Sequence, residues 1–203
     1  MEWRHFTRAQ YITTAWSGGT TTQLAIAPEG AVYADRKFLW RLSSAQVELE
    51  HSDFTPLPDY DRLISVLKGE LELKIGQGER GALEACTVRG FDGGVPVESW
   101  GRCVDFNLML RKGACQGFVQ PIVLPAGGSC QWAAPVPAPQ KYPNRTLALY
   151  CAEGDLTLSD AGVQAAAGEL LLCERADASF LHLESNYGSS DLYTIRDISL
   201  GRD

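Results

Sequence analysis

The clearest pattern of hydrophobic and polar positions lies in residues 61–75, DRLISVLKGELELKI. Its second part, ELELKI, alternates charged and aliphatic residues. Since strand side chains point alternately to opposite faces, this part predicts a strand with one buried and one solvent face. The first part, LISVL, is largely apolar at both parities, which is typical of a more buried strand. Gly69 between them tolerates the positive φ of a tight turn, so the pattern predicts a β-hairpin.

Short strands of this kind recur along the chain, and turn residues separate them at close spacing. No long stretch has the 3.6-residue period of a helix, so we expect an all-β fold. The strand that begins near Phe38 changes its apolar parity near Ala45, which indicates a bulge there. The segment from Trp16 to Gln23, WSGGTTTQ, is rich in glycine and threonine and predicts a loop over a barrel mouth.

The second half of the chain repeats the pattern of the first. When Gly154 is aligned with Gly69, the alternating leucines that follow the two glycines coincide, and an apolar segment precedes each glycine. This match predicts an internal duplication and a fold of two stacked β-barrels.

Prolines mark the expected boundary between the halves. Residues 121–143 carry six of them, which is too many for the interior of a sheet. We therefore predict an N-terminal barrel over residues 1–120, an extended connector over 121–145 and a C-terminal barrel half over 146–203.

Composition narrows the class of protein. With 203 residues, of which 45% are hydrophobic, the chain can bury a substantial core. A net charge of -7, with acidic and basic residues mixed, argues against nucleic acid or an anionic membrane as a partner. No apolar stretch approaches the roughly 20 residues of a membrane-spanning helix and no signal-peptide pattern is present, so we expect a cytoplasmic protein. The six scattered cysteines form no C-x-x-C pair, which fits reduced thiols.

Several chemistries lack their usual residues. A transition metal needs three or four convergent nitrogen or oxygen ligands, and no two of the three histidines, His5, His51 and His182, have ligand spacing. The sequence also lacks a phosphate loop, a dinucleotide fingerprint and a G-x-S-x-G elbow. We therefore expect no metal and no other cofactor, and we assign no catalytic residue.

Polar groups on the predicted strands are the remaining candidates for a site. An arginine on a rigid strand presents a fork of donors that matches a carboxylate, and a neighbouring asparagine both donates and accepts. We expect a pocket for a small carboxylic acid formed by Arg62, Asn107, Arg111, Trp40, Arg41, Asp61 and Thr22. The alternative is that Asp61, Asp105 and the arginines form structural ion pairs at strand ends.

An ordered set of short motifs in the first half resembles the HutD/Ves family. The motifs are Trp16 with Gly18-Gly19-Thr20, Trp40-Arg41-Leu42-Ser43, Asp61-Arg62 with Leu67-x-Gly69, Phe91 before Pro96-Val97, and Asp105-Phe106-Asn107-Leu108-Met109-x-Arg111. The second half resembles the family by pattern only.

The resemblance implies a bicupin, a cupin fold of two barrels, and, for HutD-like members, an association with bacterial histidine utilisation. There the protein is thought to act as a governor that binds the intermediate N-formylglutamate, and the family's pocket arginine matches Arg62. The family usually has an asparagine and an Arg-Glu pair where this chain has Ser17 and Thr22-Gln23. The Ves branch, which is linked to stress responses, is therefore an alternative.

Three functions stay open at this point. The leading hypothesis is a metal-independent regulatory protein that binds a small organic acid. The second is an enzyme that uses Asp61 or Asp105 as a general base in the same pocket. The third is an interaction protein in which one sheet docks on itself, as in a homodimer, or on a partner.

Overall fold

The computed structural model describes residues 1–133, 144–174, 180–185 and 190–200. Apart from two short 3-10 turns, Arg8–Gln10 and Tyr33–Asp35, the regular elements in these ranges are strands, which confirms the all-β prediction. The strands are β1 (Arg4–Phe6), β2 (Ile12–Trp16), β3 (Gly19–Ala27), β4 (Trp40–Val47), β5 (His51–Asp53), β6 (Tyr60–Gly69), β7 (Glu72–Ile75), β8 (Gly81–Ala82), β9 (Arg89–Asp92), β10 (Val97–Trp100), β11 (Cys103–Arg111), β12 (Cys115–Leu124), β13 (Ser129–Ala133), β14 (Asn144–Glu153), β15 (Asp155–Leu158), β16 (Val163–Ala166), β17 (Glu169–Glu174), β18 (Phe180–Glu184) and β19 (Ser190–Leu200). In the part of the chain just defined, no helix has the length and apolarity needed to span a membrane.

The chain forms two compact units. The central unit is Tyr11–Gly113, and the flanking unit combines Met1–Gln10 with Ala114–Asp203. The predicted domains, 1–120, 121–145 and 146–203, differ from these units because β1 pairs with β17 and because β12 runs through the expected boundary at residue 120. The first part of the predicted connector is strand, in β12 and β13, and its last four prolines lie outside the described residues.

In the described ranges, the strands of each unit form two sheets. The central unit has a six-stranded sheet in the order β2-β3-β4-β11-β6-β9 and a four-stranded sheet in the order β5-β10-β7-β8. The flanking unit has a five-stranded sheet in the order β1-β17-β14-β19-β12 and a four-stranded sheet in the order β13-β18-β15-β16.

The pairing pattern of β4 to β11 is repeated by β12 to β19. The order β9-β6-β11-β4 in one unit corresponds to β17-β14-β19-β12 in the other, and β5-β10-β7-β8 corresponds to β13-β18-β15-β16. Gly69 ends β6 and Gly154 directly follows β14, in each case where the chain crosses to the smaller sheet, and both have positive φ, +88° and +75°. The topology therefore supports the internal duplication predicted from the sequence.

The hairpin predicted around Gly69 is wrong. Although β6 and β7 are consecutive, β6 pairs with β9 and β11 in one sheet, whereas β7 pairs with β8 and β10 in the other. The reason is that the apolar side chains of both strands, among them Val66 and Leu73, enter one core between the sheets. Gly69 therefore lies where the chain crosses from one sheet to the other. An added Cβ at this position would lie 2.3 Å from the carbonyl oxygen of Arg102.

The segment from Trp16 to Gln23 is a hairpin rather than the predicted loop. β2 and β3 pair directly around the turn at Ser17 and Gly18, so the three threonines that follow lie within β3. The expected bulge near Ala45 is also displaced, since the extra residue is Leu24 of β3, opposite β4. A bulge in either of two paired strands bends both, which is why the parity of β4 alone did not locate it.

Candidate functional site

A cavity of about 530 Å³ opens within the central unit. Polar and aromatic side chains from both sheets and from the β2–β3 hairpin surround it. The residues that line it are Thr14, Trp16, Ser17, Thr21, Tyr33, Arg41, Ser43, Ala45, Val47, Leu49, Ser52, Asp53, Phe54, Thr55, Arg62, Asp105, Asn107 and Met109. Its volume falls in the range of small-molecule sites.

Arg62 is the most unusual group in the cavity. It lies on β6 between Phe91 of β9 and Met109 of β11, and only 7% of its surface is exposed. Its guanidinium contacts the rings of Phe54 and Phe91, with centroids at 4.7 and 5.3 Å. Within the described ranges it has no hydrogen bond or ion pair, and its Nε is buried without a partner. A buried cation that no carboxylate contacts directly is costly, so this arrangement favours an anionic ligand.

Burial lowers the pKa of Arg62 to about 10, and the nearby Asp105 carboxyl opposes that change. The guanidinium is therefore still charged at neutral pH. The contacts with the Phe54 and Phe91 rings do not use the N–H donors in the guanidinium plane, which leaves those donors for a planar acceptor. A carboxylate meets that requirement.

Arg41 contributes a second buried cation from β4. Its Nε donates to Oε1 of Gln23 at 2.9 Å, and its Nη1 donates to Oγ of Ser43 at 3.1 Å. The Tyr33 ring contacts this guanidinium at 4.4 Å and that of Arg36 at 4.0 Å. Burial lowers the pKa of Arg41 from its ordinary value. Unlike Arg62, Arg41 is held in place by neutral partners, so it adds positive charge at a fixed position.

Asp105 and Asn107 reach the same cavity from β11. Oδ1 of Asp105 accepts the backbone N–H of Ala45 at 2.9 Å. Burial raises the pKa of Asp105 to about 6, against the lowering effects of the Ala45 N–H, Arg62 and Arg41. Asn107 is 3% exposed, and its buried Oδ1 lacks a hydrogen-bond partner in the described part of the chain. The site thus combines two cations, one weakly acidic carboxyl and one unsatisfied amide.

Three of the residues predicted from the sequence lie on the cavity wall, namely Arg62, Arg41 and Asn107. They come from three adjacent strands of the six-stranded sheet, and Asn107 is paired directly with Ser43 of β4 and Ile64 of β6. Their role in binding stays a prediction.

Three other predicted residues, Trp40, Asp61 and Thr22, lie off the cavity. Asp61 is exposed, Trp40 is buried away from the cavity, and the hydroxyl of Thr22 is hydrogen-bonded to that of Thr13 at 2.9 Å. Each sits next to a residue that does line the cavity, because successive strand side chains alternate between faces. Thr21, not Thr22, supplies the hydroxyl.

Arg111 is also absent from the cavity lining, so the geometry does not support its predicted role as a ligand contact, which stays a prediction. Its Nε donates to the carbonyl oxygen of Phe38 at 2.9 Å, and its Nη2 donates to the carbonyl of Arg36 and to the Tyr60 hydroxyl. It shares its parity with Asn107 but lies at the end of β11, past the cavity. Arg36 and Phe38 belong to the segment between β3 and β4 that contains Tyr33, so these hydrogen bonds fix the position of that segment.

Two aromatic residues of the site, Tyr33 and Phe54, were not predicted from the sequence. Tyr33 begins a short 3-10 turn and Phe54 follows β5. Such short segments carry no periodicity, so only their position in the folded chain shows what they contact.

His51 is closer to other potential metal ligands than the sequence suggested. Its imidazole lies on the four-stranded sheet with the carboxylates of Asp53 and Glu98, and the three ligand atoms are within 4.8 Å of one another. Nζ of Lys74 donates to Oε1 of Glu98 at 2.9 Å, and the His51 ring packs on Trp100. His51 and Asp53 are exposed, Glu98 is half-buried, and Glu98 pairs with both Lys74 and His51. We therefore assign no metal to them.

The family model of HutD matches residues 8–188 of this chain. No curated protein matches the sequence. Among solved structures, the conserved protein PA5104 of unknown function from Pseudomonas aeruginosa PAO1 is 24% identical, and the alignment covers 98% of this chain and 100% of that one with a TM-score of 0.78.

Two further structures extend the likeness in fold. HutD from Pseudomonas fluorescens SBW25 (formate condition) is 19% identical, with a TM-score of 0.71 over 97% of this chain and 99% of that one. YhhW from Escherichia coli is 11% identical, with a TM-score of 0.69 over the whole of both chains. At these identities the likeness shows a cupin-like, all-β fold.

Proposed function

Because the chain belongs to the HutD family, we propose that its cavity binds a small organic acid and that Arg62 is the carboxylate clamp. One observation carries the proposal: Arg62 is a buried guanidinium without a hydrogen bond or ion pair in the described residues, and it lines a cavity. Hydrogen bonds between charged partners are the strong ones, and a bidentate carboxylate would satisfy the donors that the protein leaves open.

Other features of the cavity fit the same class of ligand. Arg41 adds a second positive charge, and Asn107 offers an amide to a polar group of the ligand. Coulomb attraction is stronger in a desolvated cavity than in water, so two buried cations attract an anion although the whole protein carries a charge of -7.

The family suggests the biological setting. We propose an N-formylglutamate-like ligand and a regulatory role, as a governor of bacterial histidine utilisation in the cytoplasm. The repeated two-sheet topology supports a bicupin architecture for this metal-independent protein, and a homodimer is the proposed assembly. A stress-related role like that of the Ves branch is the alternative setting for the same site.

A second candidate function is catalysis on a small carboxylate in this cavity. It is favoured by Asp105, whose buried carboxyl has a pKa of about 6 and is therefore suited to general-base chemistry near neutral pH. Asp61, the other base considered from the sequence, is exposed and does not line the cavity. A turnover assay on formylated and cyclic amino acids separates binding from catalysis.

The test of the binding function is a thermal-shift screen followed by calorimetry. Histidine-degradation intermediates and simple mono- and dicarboxylates are screened, since a ligand that binds only the folded state raises the melting temperature. We expect at least one acid to bind, and we expect Arg62→Gln to weaken it by roughly 10- to 100-fold. Asp61→Asn, which changes the adjacent exposed residue, is the matched control and should bind normally. Absence of binding by every acid, or equal affinity in Arg62→Gln, would contradict the proposal.

A further inference from the structure

Asp105 is an acid in a cavity whose other buried charges are cations. Its Oδ1 accepts the Ala45 N–H, while its Oδ2 has no hydrogen-bond partner in the described ranges. The titratable and charged groups that line this cavity or act on Asp105, by element, are Arg41 from β4, Arg62 from β6, Cys103 from β11 itself, Asp53 from β5, and Tyr33 from the segment before β4. Arg36 of that segment acts on Arg41 and Arg62.

The charge of the cavity depends on whether Asp105 carries a proton. With an ionised Asp105, the buried charges of Arg41, Arg62 and Asp105 leave one excess positive charge, which one carboxylate neutralises. With a protonated Asp105, two positive charges remain, which two carboxylates neutralise. A second anionic group entering beside an ionised Asp105 would meet like-charge repulsion in a desolvated site.

We infer that a dicarboxylate binds in this cavity together with one proton, which Asp105 takes up from solvent, whereas a monocarboxylate binds without that proton. The inference rests on the proposed function, and it names both the class of acid and the residue that distinguishes the classes. The proton is placed on the open Oδ2, and the resulting O–H donates to a carboxylate oxygen of the ligand. No other bond is formed or broken.

In the free protein, Asp105 already binds a proton more tightly than an ordinary aspartate does. Burial already raises the pKa of Asp105 to about 6, so a further anion nearby moves the midpoint towards neutral pH. Burial also raises the pKa of Cys103 to about 12, so that thiol stays protonated, and Arg62 stays charged with a pKa of about 10. Neither group exchanges a proton near pH 7.

Calorimetry in two buffers measures the uptake. N-formyl-L-glutamate and N-formyl-L-glutamine form a matched pair of nearly the same shape with two and one carboxylates. Each is titrated at pH 7 in phosphate and in Tris, whose ionisation enthalpies differ, and the dependence of the binding heat on the buffer gives the number of protons. We expect between about half and one proton per dicarboxylate and close to none for the glutamine derivative.

Two variants identify the group that takes up the proton. Asp105→Asn keeps an oxygen for the Ala45 N–H but cannot titrate, so the uptake should vanish and dicarboxylate affinity at pH 8 should rise about tenfold. Asp53→Asn removes the other carboxyl of the cavity and should keep the uptake. If Asp105→Asn does not fold, the wild-type pH profile serves instead. Dicarboxylate affinity should then fall about tenfold per pH unit between the pKa of Asp105 in the free protein, about 6, and its higher pKa in the complex.

The outcomes separate the inference from the proposed function. Binding of both acids with equal proton uptake, or uptake that persists in Asp105→Asn, overturns the inference and leaves acid binding intact. If neither of these two acids binds, and no other screened acid binds, the proposed function itself is overturned.

Discussion

Leu147 of the flanking unit stands at the position that Arg62 occupies in the central unit, in the alignment that places Gly154 on Gly69. Leu147 is fully buried in an apolar core with Leu149 and Leu171, whereas Arg62 lines the polar cavity. The same backbone position thus completes a core in one repeat and forms part of a site in the other.

This difference predicts one acid-binding site per chain. The apolar core around Leu147 offers no charge to pair with a carboxylate, so it should not bind the acid. Calorimetry or native mass spectrometry should give one ligand per chain at saturation. Two equivalent ligands per chain would contradict the prediction.

Arg62→Leu, which introduces the residue found at this position in the other repeat, should lower acid affinity and raise the stability of the folded protein. Acid binding should be lost, and the free energy of unfolding without ligand should rise by about 1–3 kcal/mol because a buried, unpaired charge is replaced by a hydrophobic side chain. Urea denaturation measures the change. Arg80→Leu, at an exposed arginine paired with Glu72, is the control and should shift stability by less than about 1 kcal/mol. A strongly destabilised Arg62→Leu would count against the isolation of that guanidinium.

The buried carboxyl of Asp105 should make the protein less stable as the pH rises. Its pKa in the folded protein, about 6, lies above the ordinary value near 4, so the folded state holds this proton more tightly than the unfolded state. The free energy of unfolding should therefore fall as pH rises from about 4 to about 6 and change little from this source above that window. In Asp105→Asn this decline is absent, so the variant gains about 2–3 kcal/mol relative to wild type across the window. Denaturation curves at several pH values, with Asp61→Asn as the control for loss of one acidic group, test the sign.

Arg111 should matter for stability more than for affinity. Arg111→Leu removes the donors that reach Phe38, Arg36 and the Tyr60 hydroxyl, and we expect a loss of about 2–4 kcal/mol. Acid affinity should stay within tenfold of wild type, because Arg111 does not line the cavity. Comparing calorimetry with urea denaturation separates the two effects. A loss of binding as large as that of Arg62→Gln, at unchanged stability, would restore Arg111 as a ligand contact.

Gly19 should be the least replaceable residue of the β2–β3 hairpin. Its φ is +146°, and an added Cβ would lie 1.9 Å from the backbone carbonyl oxygen of Gln46. Gly19→Ala should therefore destabilise the protein by about 3 kcal/mol or more. Gly30 also has a positive φ, +82°, but nothing lies within 4 Å of an added Cβ, so Gly30→Ala isolates the conformational cost of about 1–2 kcal/mol. Equal effects would show that the contact with Gln46 relaxes freely.

Local patterns were enough to predict the kind of fold and part of the site. Alternation along the strands predicted an all-β chain, and the equivalence of Gly69 and Gly154 predicted a duplication that the strand pairings repeat. The arginine and asparagine motifs placed Arg62, Arg41 and Asn107 on the strands that now form the cavity wall. These features depend on neighbours in sequence, so the sequence by itself determines them.

Tertiary structure decided which of the adjacent polar groups face the cavity and what surrounds them. Strand alternation says that Asp61 and Arg62 point to opposite faces, but the pairing of β6 with β9 and β11 sets which face is enclosed. The crossing at Gly69, the position of Arg111 and the rings against Arg62 likewise come from residues distant in the chain. They follow from how two sheets share one core, because that core is built from contacts that no local pattern encodes.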